Sequence, residues 1–176
     1  MTNDAAAPPR LLIGIAAALA VALAVVVAII GLSSGNDGDQ PQPLKALPLP
    51  AIDAPDAGSP ECARLSGKLP DTVASGGQEL ARRKLADPAP EAAAAWGAQN
   101  PVVLRCGVRK PRELKPTSKL LATDGVRWFQ AAGPGTTTWY AVDRPVYVAL
   151  TLPADSGTGV VQDLSKAVRS AMKPKR

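Results

Sequence analysis

Residues 101–107 read Pro-Val-Val-Leu-Arg-Cys-Gly. In an extended chain Val102, Leu104 and Cys106 fall on one side, and Val103 and Arg105 on the other. A second stretch behaves alike: Val146, Val148, Leu150 and Leu152 alternate with Tyr147, Ala149 and Thr151. Between them, Asp124-Gly125 is a tight-turn signal ahead of a strand from Val126 to Gln130. Gly133-Pro134-Gly135 then turns the chain into Thr136–Val142, and Asp143-Arg144-Pro145 turns it again. After the last strand, Val160, Val161, Leu164, Ala167, Val168 and Ala171 recur at helical spacing. The expectation is an α+β domain, with an antiparallel sheet of about four strands and helices packed on one face.

Upstream, Ser59-Pro60-Glu61 supplies an N-cap, a proline at the first helical position and an acid in the first turn. The helix it starts sets Cys62, Leu65 and Leu69 on one face before Pro70 stops it. A second short helix is expected from Pro90 to Trp96, with Gly97 as its left-handed terminator. Residues 71–89 carry no clear period and read as loop plus one edge strand near Leu80–Leu85. Cys62 and Cys106 thus each sit on a face that turns toward the same core. A disulfide between them would staple the first helix to the sheet. The alternative, a redox-active pair, lacks the C-x-x-C spacing that would favour it.

The chain has 176 residues, no histidine, a net charge of +5 and a mean hydropathy of +0.03. That average is carried by residues 11–32, which hold only Leu, Ile, Val, Ala and Gly. Without them the remainder falls to about −0.4, an ordinary value for a soluble domain. As a helix the stretch spans ~33 Å, enough for a bilayer core. The competing reading is a cleavable signal peptide, whose apolar region is shorter, at ~7–15 residues. Arg10 precedes the segment, and the next basic residue is Lys45. The positive-inside rule therefore puts residues 1–10 in the cytoplasm and the rest outside a single-pass anchor in the cell membrane. An oxidising address also suits the cysteine pair. Residues 33–60, with six prolines after Ser-Ser-Gly-Asn-Asp-Gly-Asp, read as an extended extracytoplasmic linker. Residues 61–176 then form one domain.

The missing histidine excludes Ser-His-Asp triads, Cys-His dyads and H-E-x-x-H zinc helices, and two cysteines cannot close a thiolate zinc site. No metal or cofactor site is expected. Asp124 and Asp143 sit in turn signals, where aspartate is favoured for backbone reasons. Ser118-Lys119 and Ser165-Lys166 show no diagnostic motif, so no catalytic residue is assigned, although carboxylate or Ser/Lys hydrolase chemistry stays formally open. Basic residues are more suggestive: Arg82, Arg83 and Lys84 cluster, as do Arg105, Arg109, Lys110, Arg112 and Lys115. Outside a membrane the polyanions they meet are anionic lipid headgroups or wall polymers rather than nucleic acid. On the sheet face opposite the helices, Arg105 stands with Val103, and register decides whether Phe129, Tyr140 and Tyr147 join it. Either that face is an open binding surface or residues 71–89 cover it, and cover is favoured because exposed aromatic patches are uncommon on monomers. The candidate binding residues are Arg82, Arg83, Arg105, Arg109 and Tyr147.

Several pieces also carry a family resemblance: Cys62-Ala63, Leu69-Pro70, Arg82-Arg83, Ala95-Trp96-Gly97, Leu104-Arg105-Cys106-Gly107-Val108, Asp124-Gly125-Val126 and Arg144-Pro145-Val146-Tyr147-Val148. The chain resembles an uncharacterised actinobacterial family of small membrane-anchored proteins with a domain of unknown function, over about residues 61–172. The resemblance implies an extracytoplasmic envelope protein and supplies no catalytic residues. The reading is a non-catalytic envelope module that binds or scaffolds a protein, lipid or wall partner.

Overall fold

The computed structural model describes residues 21–27 and 44–175. The chain divides into two compact units, residues 1–43 and 44–176, each described by itself. In the first, residues 21–27 are helical (α1) and their side chains are exposed. The rest of the apolar stretch and the flanks expected to be cytoplasmic and linker, residues 1–20 and 28–43, lie outside the described residues. No described helix is long and apolar enough to cross a membrane.

The second unit begins well before the expected domain boundary at residue 61. Residues 44–60 were read as linker, yet Leu47 pairs in parallel with Leu85, donating to Lys84 O at 2.9 Å and accepting from Ala86 N at 2.9 Å. Farther on, Asp56 N donates to Gly107 O at 3.1 Å. Prolines kept this segment out of helices and ladders, as expected. They did not stop it from lying as an extended strap against strand edges, which needs few of its own N–H groups.

The unit contains α2 (Pro60–Ser66), a hairpin of β1 (Thr72–Ser75) and β2 (Gln78–Ala81), then β3 (Ala93–Trp96), β4 (Val102–Val108), β5 (Leu121–Thr123), β6 (Val126–Gly133), β7 (Thr136–Ala141), β8 (Tyr147–Pro153) and α3 (Gly159–Ala171). Strands β3 to β8 form one six-stranded antiparallel sheet in the order β3-β4-β8-β7-β6-β5. The α+β class and the antiparallel pairing hold, and the four expected strands are β4, β6, β7 and β8. The sheet is larger because β3 and β5 complete its edges.

The cap at α2 is as read, with Ser59 Oγ accepting from Cys62 N at 3.3 Å. The helix stops at Ser66, with Gly67 as its C-cap, so Leu69 packs on the core from outside it. The expected helix over Pro90–Trp96 is a strand instead. Its alanines favour a helix only weakly against tertiary demand, and pairing with β4 satisfies that strand's outer backbone groups. Small side chains suit a strand covered on both faces: Ala94 and Ala95 are both buried. Gly97 does adopt a left-handed φ of 91°, at a strand end rather than a helix end. Residues 71–89 hold the β1–β2 hairpin, whose Gly76-Gly77 turn has φ of 57° and 81°.

The main core lies between the sheet and α3. Trp128 Nε1 donates to Ser165 Oγ at 2.9 Å, and that hydroxyl donates to Val161 O at 2.6 Å, so neither buried polar group is orphaned. The hairpin packs along α3, where Asp163 Oδ2 accepts from Ala74 N at 3.1 Å. The Cys62–Cys106 disulfide is present, with Cα atoms 5.6 Å apart.

Beside that disulfide β4 bulges: Cys106 pairs with Val148, but Val108, not Gly107, pairs with Tyr147. Gly107 has φ of 78°, and a Cβ there would lie 2.2 Å from the Asp56 carbonyl carbon and 2.3 Å from Ala57 N. Both obstacles are backbone and cannot swing aside. Gly107→Ala should therefore dislodge the strap at residues 53–57. Gly135 (φ 64°) has nothing within 4 Å of its own Cβ position, so Gly135→Ala isolates the conformational cost of ~1–2 kcal/mol. Chemical denaturation should show Gly107→Ala losing more than twice what Gly135→Ala loses. Equal losses would mean that the strap is not held at this point.

Candidate anion-binding face

The strand order imposes a crossing. β4 is second from one edge and β5 is the opposite edge, so residues 109–120 must pass β8, β7 and β6. That is a lateral distance of ~19 Å at the usual strand spacing. The α-helices occupy one face, which Trp128 contacts through Ser165. Phe129, next in β6, points to the other face and is nevertheless only 9% exposed. Ser118, Lys119 and Leu121 line a hollow of about 250 Å³ with Phe129 and Gln130, so the crossing segment lies over this second face. Pro111 is buried and Leu114 half-buried along the way. The cover is thus residues 109–120 and not 71–89, whose hairpin packs with α3. The reason is topological, since only the crossing segment has to reach from one edge to the other.

Register across the sheet places Ala93, Arg105, Ala149, Tyr140 and Phe129 in one row on the covered face. Phe129 and Tyr140 pack with ring centroids 6.5 Å apart. Arg105 and Tyr140 flank the small, buried Ala149. Burial lowers the pKa of Arg105 from its usual range. Burial, and secondarily the charge of Glu113 on the crossing segment, raise that of Tyr140. The Arg105 side chain forms no hydrogen bond or ion pair among the described residues, although it is half-buried. Tyr147 lies nearby on the same strand face as Ala149, with Lys175 Nζ 4.8 Å from its ring centroid.

Three of the expected binding residues therefore gather on this side: Arg105 and Tyr147 on the sheet, and Arg109 at the start of the crossing segment. Arg109 is ion-paired with Asp53 of the strap, and both side chains stay exposed. The segment adds Lys110, Arg112, Lys115 and Lys119, all exposed, against the single acid Glu113. Arg127, exposed on β6, alternates with Trp128 and so shares the face. The sequence shows these charges as a cluster, but their placement over the sheet needs the strand order.

Arg82 and Arg83 lie elsewhere, along the outer edge of β3. Arg83 Nη1 donates to Ala98 O at 2.7 Å and Nη2 to Lys45 O at 2.6 Å, which fixes the strap to the edge. Arg82 is exposed and bridges Trp96 through the backbone. Of the residues weighed for chemistry, all but the exposed Lys119 are engaged structurally. Asp124 has φ of 48° in the β5–β6 turn, and Asp143 pairs with Arg144. Ser118 Oγ accepts from Lys115 N, and Lys166 pairs with Asp163. Among the described residues no group of three His, Cys, Asp or Glu side chains could hold a metal.

The chain belongs to a family of proteins of unknown function, DUF3515, whose family model matches residues 17–176. No curated protein and no solved structure matches it.

Proposed function

We propose that this DUF3515 protein is a non-catalytic binding module of the cell envelope. It is held by a single-pass anchor at residues 11–32 with its N-terminus cytoplasmic, and it recognises a polyanion through the basic face built by Arg105 and the crossing segment. The anchor reading rests on the 22 uncharged residues and on Arg10 before them. The actinobacterial, membrane-anchored character of the resembling family supports the same address.

One observation carries the binding reading: the half-buried Arg105 side chain has no hydrogen-bond or ion-pair partner among the described residues. A guanidinium left free beside a sheet face can donate to a ligand oxyanion. The neighbouring cations of residues 109–120 draw the same ligand by long-range attraction, which salt screens.

Retention of the full chain on immobilised polyphosphate tests this. Arg105→Met keeps the aliphatic stem and should weaken binding on the order of tenfold, the loss of one charge-assisted hydrogen bond. Arg82→Gln, at the other edge, should leave retention unchanged. Equal effects of the two would reduce the interaction to net charge and reject a site.

A further inference from the structure

We propose that the polyanion is the anionic headgroup surface of the bilayer that holds the chain, with residues 109–120 lying against it. This rests on the basic-face reading above and names its partner. Three observations favour a lipid surface over a soluble or wall-bound polymer.

The first is reach. The uncharged stretch ends at Leu32 and the second compact unit begins at Leu44. The 11 intervening residues span at most ~40 Å when fully extended. A unit of this size is itself ~30–40 Å across. The tether is therefore too short to carry the domain far from its own membrane, and long enough to let any face turn toward it.

The second is the chemistry of the face. A polymer of phosphates needs cations only, whereas a bilayer interface also takes amphipathic and apolar side chains. Within residues 44–175 the exposed large apolar side chains are Leu44, Ile52 and Leu120. Leu120 ends the crossing segment beside Lys119, and Ile52 adjoins Asp53, which holds Arg109. Leu120 and Ile52 thus stand next to the cations of the crossing segment, while Leu44 adjoins Lys45 at the Arg83 edge. Tyr147 adds a phenol of the kind enriched at bilayer interfaces.

The third is availability. Lys110, Arg112, Lys115 and Lys119 are exposed and have no acidic partner among the described residues, so one short segment presents four free cations to an anionic surface.

Lysine acylation of the full chain, reconstituted in vesicles and read by mass spectrometry, decides the matter. With phosphatidylglycerol in the bilayer, Lys110, Lys115 and Lys119 should label about fivefold more slowly than in pure phosphatidylcholine, the factor that matches ~1 kcal/mol per surface cation. Lys68 and Lys166, beside α3, should label equally in both, and added salt should erase the difference. A parallel arm adds soluble polyphosphate to the phosphatidylcholine vesicles. Protection by polyphosphate without protection by phosphatidylglycerol overturns the lipid assignment and leaves the basic-face reading standing. Protection by neither overturns both. Uniform slowing of all five lysines overturns the assignment of this face.

Discussion

Replacing Cys62 and Cys106 together by alanine is expected to lower the stability of the folded unit by about 4 kcal/mol. The bond joins residues 44 positions apart, and that loop length sets the entropy it removes from the unfolded chain. Local structure argues for the same size of effect. α2 has seven residues, too few to hold a helix in water, and it buries only Cys62 and Leu65. Arg64 Nε adds one hydrogen bond to Ala171 O at 3.3 Å, and Glu61 pairs only within the helix. The disulfide is therefore the principal link between α2 and the sheet. It also sits one residue from Gly107, where the strap crosses β4. Loss of the bond should loosen helix and strap together. In thermal denaturation the double variant should melt roughly 15 °C lower, at ~4 °C per kcal/mol for a domain of this size. Amide exchange should accelerate first in residues 47–66 and only later in β8 and α3. A fall below ~1 kcal/mol would show that Leu65 and the strap hold the helix without it.

What was legible in the sequence was what depends on short-range periodicity. β4, β8 and α3 announce themselves because one face of each is apolar and the period is unbroken. Cys62 and Cys106 could be paired on paper because each shared a face with core leucines. β3 was not legible. Its Ala-Ala-Ala-Trp carries a helical propensity, and only the unfilled edge of β4 makes it a strand. The β1–β2 hairpin left a signal in Gly76-Gly77, but four residues on either side are too few to show alternation. The candidate site was half legible. Arg105 and its sheet face follow from alternation within β4, and the cluster after it is plain in the sequence. That the cluster lies over the face follows from strand order, a non-local fact that no window of sequence contains. Arg83 shows a related limit: a surface cluster in the sequence does not reveal which guanidinium donates to backbone carbonyls, as Arg83 does to Ala98 O and Lys45 O.

Arg144 was legible only as part of a turn, and it is the most consequential polar residue in the core. Its side chain is wholly buried, a rare state for arginine and one seldom found without an acidic partner. Nη1 meets Asp143 Oδ2 at 2.9 Å and Nη2 donates to Gly125 O at 2.7 Å, so one guanidinium ties the β7–β8 turn to the β5–β6 turn. Lys175 N donates to Asp143 O at 2.8 Å and closes the C-terminal segment over the pair. Nε of Arg144 and Oδ1 of Asp143 have no partner, so the network has no bond to spare. Asp143→Ala should cost about 3 kcal/mol, the low end for an unpaired buried charge because the Asp143 side chain is 18% exposed and already partly solvated. Arg144→Met removes the charge together with its desolvation cost and should lose less, about 1–2 kcal/mol, mostly from the bond to Gly125 O. The double variant should then be more stable than Asp143→Ala alone, because no charge is left stranded. Urea denaturation of the four proteins gives the coupling directly. Additive losses would mean that the buried guanidinium is satisfied by carbonyl oxygens and that Asp143 is only a turn residue. A coupling above ~1 kcal/mol would establish the pair as the lock between the β7–β8 turn and the β5–β6 turn, and the latter carries β5, the strand on which the crossing segment lands.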